Sequence, residues 1–186
     1  MTIKFNLESL RRRLKPVARV MESGDNPEAA VAVILDSSGG SLLLIQRTER
    51  IGDPWSGQVA FPGGHIASSD RSFLETAIRE AREEVGISLR GHSVLGVLPL
   101  IYARTRRVKV APFVFQLKTS VDVRANVEVA DVFWVLANEL ARSKVMKSKV
   151  DVDSRQLIVD SYVWGKYVIW GLTFRIIRML LDKNEL

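Results

Sequence analysis

Two short apolar runs, AAVAVILD at 29–36 and SLLLIQRT at 41–48, are joined by Ser-Ser-Gly-Gly. Each is bounded by turn residues, and each has strand rather than helix length, so the pair predicts buried strands in a β-hairpin. The next extended run, QVAFPGG at 58–64, ends in a Gly-rich turn. Further strands are expected over about 93–103, 108–118 and 132–136, with extended structure over 145–164 around Ser-Arg-Gln. Helical periodicity marks four other places. Residues 6–22 place Leu7, Leu10, Leu14, Val17 and Val20 at three- and four-residue steps, with Pro16 as a break or kink. Residues 70–85 form a second helix closed by Gly86, NELARS a short third, and about 168–183 a fourth. Strands and helices so mixed predict an α/β (α+β) fold with helices packed on a sheet.

The chain has 186 residues, no internal repeat and no long linker, which suits one domain. The expected division is an N-terminal amphipathic helix within 1–26, packed on a single domain at 27–186 that includes the C-terminal helix. Cysteine is absent, which excludes disulfides, thiolate metal sites and a cysteine nucleophile, and fits the cytoplasm. Two histidines, His65 and His92, make a poor basis for a zinc site. The N-terminus lacks the apolar core of a secretory signal. The most apolar stretch, Tyr162 to Leu181, is interrupted by Lys166, Arg175 and Arg178, which argues against a membrane span. The net charge of +6 favours anionic partners without choosing between nucleotides and nucleic acid.

On a wheel of about 100° per residue, Leu74, Ala77, Ile78, Ala81 and Val85 share one face of the second helix. Glu80 and Glu84 lie about 40° apart and are expected nearly opposite that stripe, with Glu83 at the edge of the same sector. Carboxylates so close repel each other. A hard divalent cation removes the repulsion, and Mg²⁺ suits a site with few carboxylates and shared phosphate oxygens. The plain alternative is a solvated helix face with ordinary surface pairs such as Arg79 to Glu83. The Gly-rich FPGG turn just ahead of the helix favours the metal, because it lets backbone approach phosphate or cation.

The segment REAREEVGI, Arg79 to Ile87, resembles the second half of the Nudix box, G-x5-E-x7-REUxEExGU, where U is a bulky aliphatic residue; Ala81 stands at the first such position. The first half departs: six residues after Gly64 comes Asp70 rather than Glu, and eight residues separate Asp70 from Arg79. That expansion resembles the coenzyme A pyrophosphatase branch, as do LLLIQRT, SGQVAFPGG and YVIWGLTFRII, so the resemblance spans roughly residues 28–182. It implies an α/β/α sandwich around a mixed sheet and hydrolysis of a nucleoside diphosphate linked to another group, with Mg²⁺ or Mn²⁺ as cofactor. It implies metal ligands at Glu80, Glu84 and Glu83, aided by the backbone of Gly63, and a glutamate-orienting role for Arg79. It also implies substrate contacts from Arg47, Phe61 and Gly64, and makes a homodimer the expected assembly. The base is either Glu83 or Glu128, the latter in the loop before the FWV strand.

Other residues keep two readings. Arg47 binds phosphate or pairs with a structural carboxylate. Trp55 stacks on a base or fills space, and His65 lies beside the same site. Arg104, Arg106, Arg107 and Lys109 read as a solvated basic loop. The aromatic residues from Trp164 to Phe174 read as core. The branch's second signature, LLTxRSxxxRxHxGxVxFPGG, fits at Arg47, Gly57, Val59 and Phe61 to Gly64, but its second Arg falls at Asp53 and its His at Trp55. Coenzyme A, ADP-ribose, dinucleotides and nucleoside triphosphates are therefore all candidate substrates. Two other classes are a nucleic-acid-binding module and an inactive interaction protein. Three acidic ligands and the lack of aromatics among the basic runs disfavour the first, and the intact REAREE disfavours the second.

Overall fold

The computed structural model describes residues 5–18, 26–53, 55–103, 108–152 and 155–181. The basic run's Arg104, Arg106 and Arg107 lie outside these residues, as do residues 19–25, including Val20. The predicted hairpin is present: β1 (Ala29–Leu35) and β2 (Ser41–Arg47) meet at Leu35 and Leu42, and the turn closes with Asp36 N–H donating to the Ser41 carbonyl at 3.1 Å. Away from that turn the two strands take different partners. β3 (Val59–Ala60) lies on β2 and β4 (Gly63–His65) lies on β1, so the FPGG segment fills the gap between the arms of the hairpin. The glycines of the turn expected at the end of 58–64, Gly63 and Gly64, are themselves in a strand.

The remaining strands complete a mixed sheet. β5 (Ser93–Val97) and β6 (Ile101–Ala103) pair antiparallel with β7 (Val108–Gln116), β7 runs parallel to β1, and β8 (Val129–Leu136) pairs antiparallel with β2. A smaller antiparallel sheet holds β9 (Met146–Val152), β10 (Arg155–Trp164) and β11 (Tyr167–Trp170). Val168 to Trp170 were expected in the first turn of the terminal helix. Here Tyr167 to Trp170 form a hairpin with β10, and helix α4 begins at Gly171 (Gly171–Leu180).

Alternation along β1 and β2 sorts the core into two layers, as side chains of successive strand residues point to opposite faces. Val33, Leu35, Leu42 and Leu44 pack with Leu10, Ile176 and Ile177 of α1 (Leu7–Arg13) and α4. Ala32, Ile34, Leu43 and Ile45 pack with Ala77, Ala81 and Val85 of α2 (Phe73–Val85). Helix α3 (Ala137–Arg142) joins the first layer. The α/β/α sandwich is thus in place. No helix among the described residues is long and apolar enough to cross a membrane.

The N-terminal helix breaks ahead of Pro16, the position expected to break or kink it: α1 ends at Arg13, and residues 17 and 18 are helical again. The residue before a proline is pushed from helical to extended backbone. Lys15 accordingly forms a bridge with Val97, its N–H and carbonyl each bonded at 3.0 Å. The break also serves the core: Leu7, Leu10 and Leu14 pack in one layer and Val17 in the other. Asn6 caps the start of α1 through its side chain, and Arg13 reaches across to the end of α4, donating to the carbonyls of Met179 (2.9 Å) and Leu180 (3.0 Å). A helix's last carbonyls lack intrahelical donors, so a side-chain donor placed there stabilises the helix end. Replacing Arg13 with Ala is expected to cost about 1–3 kcal/mol of stability, seen as a lower urea midpoint with an unchanged m-value. Equilibrium unfolding of the two proteins checks this.

Candidate active site

Helix α2 starts at Phe73, three residues later than the periodicity suggests, because Ser72 caps it and Asp70 is used elsewhere. Ser72 Oγ accepts from the Glu75 amide at 3.2 Å, and Glu75 reaches back to the Arg71 amide at 3.0 Å. At the other end Gly86 adopts φ 71°, a left-handed closure that favours glycine. The loop before β8 then docks on the last carbonyls of α2: the Asn126 amide donates to Glu84 at 3.0 Å and the Arg124 amide to Val85 at 2.9 Å. This docking places Glu128.

The buried face of α2 is Thr76, Ala77, Ala81, Glu84 and Val85, with Leu74 and Ile78 only half-buried. The expectation that Glu80 and Glu84 lie nearly opposite the packed stripe is therefore wrong. Glu84 is seven residues from Ala77, which returns it to within about 20° of that alanine on the wheel. Glu84 is 2% exposed. Its Oε2 accepts from the Gly63 amide at 2.9 Å. Burial, helped by the charges of Glu80 and Glu128, pushes its pKa up to about 7, against the Gly63 hydrogen bond and Arg47. Burial likewise raises the pKa of Glu80, against the pull of Arg79.

Arg79 is the hub beside them. Its Nε and Nη2 bind Asp70 at 2.9 Å each, and Nη1 donates to Glu80 at 2.8 Å and to Glu83 at 2.9 Å. Nη2 also donates to the His65 carbonyl at 3.1 Å. Asp70 further accepts from Thr76 and the Ala67 amide, and Arg79 foremost holds its pKa down to about 2. The hydrogen bond to Asp70 in turn raises the pKa of Arg79. Asp70, which departs from the box pattern, is thus the anchor that aims Arg79.

These residues edge a cleft of about 670 Å³. Its acidic end holds Glu80, Glu84 and Glu128 with Arg47, Gly63 and Gly64, and Trp55 and His65 stand at the same wall. The structure so brings together every sequence-predicted site residue except Arg79, which works from behind Glu80, and Glu83. Glu83 is turned to Arg79 with its side chain 46% exposed. Phe61 contributes to the wall from a position 3% exposed within the core. The aromatic segment read as core also serves the cleft, through Trp170 and Phe174. The opposite wall, with Lys147, Ile158 and Asp160 from β9 and β10, had no motif to reveal it.

Among the described residues no three acidic or imidazole side chains are gathered as metal ligands. The donor chemistry nevertheless fits a hard divalent cation: two carboxylates one turn apart, one desolvated, beside a bare backbone. A Cβ on Gly64 would collide with Glu80 Oε1, and one on Gly63 would stand 2.5 Å from the Ala30 carbonyl. Glycine at both positions is what lets β4 press between β1 and the glutamates.

Arg47 sits where β2 meets an irregularity in its pairing with β8: Gln46 faces Asp131 but Arg47 faces Val129. Its Nη2 donates to Asp53 at 2.8 Å and its Nη1 stands 3.9 Å from Glu84. Of its two sequence readings, pairing with a carboxylate is the one present here. Glu128 accepts from Arg50 at 2.9 Å. Neither Asp53 nor Arg50 was picked out as a partner in the sequence, since the loop carries no periodicity.

Comparison with known proteins gives the same outline. The NUDIX domain profile matches residues 25–157. The chain is 36% identical over 164 residues to an uncharacterized Nudix hydrolase, NudL, of Citrobacter koseri, covering 86% of this chain and 83% of that one. Among solved structures, it superposes on a MutT protein of Methanosarcina mazei with a TM-score of 0.56 at 21% identity, over 85% of this chain and 94% of that one. It superposes on the NUDIX domain of Shewanella oneidensis NrtR, solved with ADP ribose, with a TM-score of 0.53 at 14% identity, over 97% and 99% of the two chains. At such identities these two likenesses concern the fold.

The buried Glu84 makes a prediction for the metal-free protein. A carboxyl whose folded pKa lies above its unfolded value costs nothing while protonated in both states. It destabilises the fold increasingly as pH rises from the usual carboxylate range to about 7. In chelator, Glu84→Gln is therefore expected to match the parent near pH 4 and exceed it near pH 7.5, by on the order of 1–3 kcal/mol. Thermal or urea unfolding at the two pH values measures the difference.

Proposed function

The chain belongs to the Nudix family and is a Nudix hydrolase, and from that premise we propose a divalent-metal-dependent pyrophosphohydrolase acting on a nucleoside diphosphate linked to another group. Coenzyme A or a derivative is the leading substrate class, with ADP-ribose, dinucleotides and nucleoside triphosphates as the competitors. The observation that carries the reading is the convergence of Glu80, Glu84 and Glu128 with Gly63 and Gly64 at one end of a single cleft.

In this reading Glu80 and Glu84 hold Mg²⁺, or Mn²⁺ in its place. The ion supplies neutralisation of the phosphate oxygens and a water of lowered pKa. Arg79 keeps Glu80 and Glu83 in position, and Glu83 serves as an outer ligand. Glu128 faces the cleft and takes the proton of the attacking water, while Glu83 is committed to Arg79. The water oxygen bonds to phosphorus and the bridging oxygen departs with the second phosphate, so the protein's task is alignment and charge stabilisation. The apolar wall of Val31, Val108, Val110 and Leu172 suits the non-phosphate part of a substrate.

The test is hydrolysis with Mg²⁺ across coenzyme A, ADP-ribose, dinucleoside polyphosphates and nucleoside triphosphates. At least one is expected to be cleaved, with Glu84→Gln and Glu128→Gln each slower by about 10²–10⁴. No cleavage of any compound, or full activity in Glu84→Gln, would overturn the reading.

A further inference from the structure

The loop between β2 and β3 places a second carboxylate on the cleft's arginine. Asp53 Oδ2 accepts from Arg47 Nη2 at 2.8 Å, and its Oδ1 accepts from the Trp55 amide at 2.9 Å. The loop is braced around it: the Asp53 amide donates to the Arg50 carbonyl at 3.2 Å, the Ser56 amide to the Asp53 carbonyl at 3.0 Å, and Ser56 Oγ accepts from the Arg50 amide at 2.7 Å. The Asp53 side chain is 18% exposed and does not line the cleft; it stands behind Arg47. Burial works to raise its pKa, yet the Arg47 hydrogen bond and the Trp55 amide hold it below the usual range, so it is a carboxylate at neutral pH.

Arg47 is therefore claimed from two sides, by Asp53 on one edge and Glu84 on the other. Among the described residues the cleft's other lysine and arginine are also engaged: Lys147 pairs with Asp160 at 2.7 Å and Arg175 donates to the Tyr102 carbonyl at 2.7 Å. Although the chain carries a net charge of +6, the acidic end of its cleft holds Glu80, Glu84 and Glu128; Arg79 and Arg50 are spent on Glu80 and Glu128, and the one arginine among the described residues that lines this end, Arg47, is already paired with Asp53. Every charge an incoming ligand brings beyond what bound divalent ions cover then meets carboxylates at short range, and like charges so placed cost several kcal/mol.

We propose that Asp53 determines substrate specificity by neutralising Arg47, so that the acidic end of the cleft selects a diphosphate chain esterified at both ends over a terminal triphosphate chain, whose further phosphate adds charge at that end. This rests on the pyrophosphohydrolase reading and names the charge class of its substrate. The discrimination works by withholding a cation from the more charged ligand, a form of selection against the wrong partner.

The experiment measures calorimetric binding of two probes, ADP-ribose and ATP, with Ca²⁺ replacing Mg²⁺ to slow their consumption. The wild-type chain is compared with Asp53→Asn, Asp53→Glu and Arg47→Gln, and with Asp53→Asn combined with Arg47→Gln. Asn keeps the acceptor for the Trp55 amide and removes only the charge. The wild type is expected to prefer ADP-ribose. Asp53→Asn should tighten ATP about tenfold relative to ADP-ribose, Asp53→Glu should keep the wild-type ratio, and the shift should vanish when Arg47 is also Gln. An unchanged ratio in Asp53→Asn, or a shift that survives without Arg47, overturns the inference while leaving the hydrolase reading intact. A failure of wild type and variants alike to bind either probe removes the inference and leaves the hydrolase reading to the substrate panel, coenzyme A included.

Discussion

Five acidic side chains crowd one end of this molecule, and the guanidinium of Arg79 is what allows three of them to coexist there. Asp70, Glu80 and Glu83 all bond to it. Glu84 lies beyond its reach and is stabilised only by one backbone amide and a distant Arg47, which is why burial raises its pKa so far. Glu128 lies across the cleft with Arg50. Such an arrangement stores unfavourable charge in the folded state, which the proposed divalent cation would relieve.

The backbone makes the crowding possible. Because β1 and β2 pair at Leu35 and Leu42 and then separate, β3 and β4 enter between them and bring Gly63 against α2. The glycines are required by proximity: a side chain at either would strike Glu80 or β1. The helix that carries the glutamates is fixed at both ends, by Ser72 and by the loop that delivers Glu128. Fold and site are thus one construction, since the same contacts that bury α2 aim its carboxylates at the cleft.

Much of this was legible in the sequence because it is local. The apolar runs of β1 and β2, the turn at 37–40, the cap at Gly86 and the spacing of Glu80 and Glu84 all follow from short-range rules. What was not legible depends on partners far along the chain. The N-terminal periodicity ran through Pro16 without showing that Leu14 and Val17 serve different layers. Tyr167 to Trp170 reads equally as helix or strand until β10 offers it a partner. Wheel geometry places Glu84 near Ala77, but only the sheet's position says which side of that alanine is buried. The ion pairs of Arg47 with Asp53 and of Arg50 with Glu128 join residues of an irregular loop to distant strands, and no spacing rule anticipates them.

The central claim is that Glu80 and Glu84 together form a divalent-cation site. Calorimetric titration of the chain with Mn²⁺, a readily detected substitute for Mg²⁺, tests it without any assumption about substrate. The account predicts saturable binding that weakens at least about tenfold in Glu80→Gln and in Glu84→Gln, and less in Glu83→Gln, whose carboxylate is held by Arg79. Equal affinity in the wild type and in the Glu80 and Glu84 variants would contradict it.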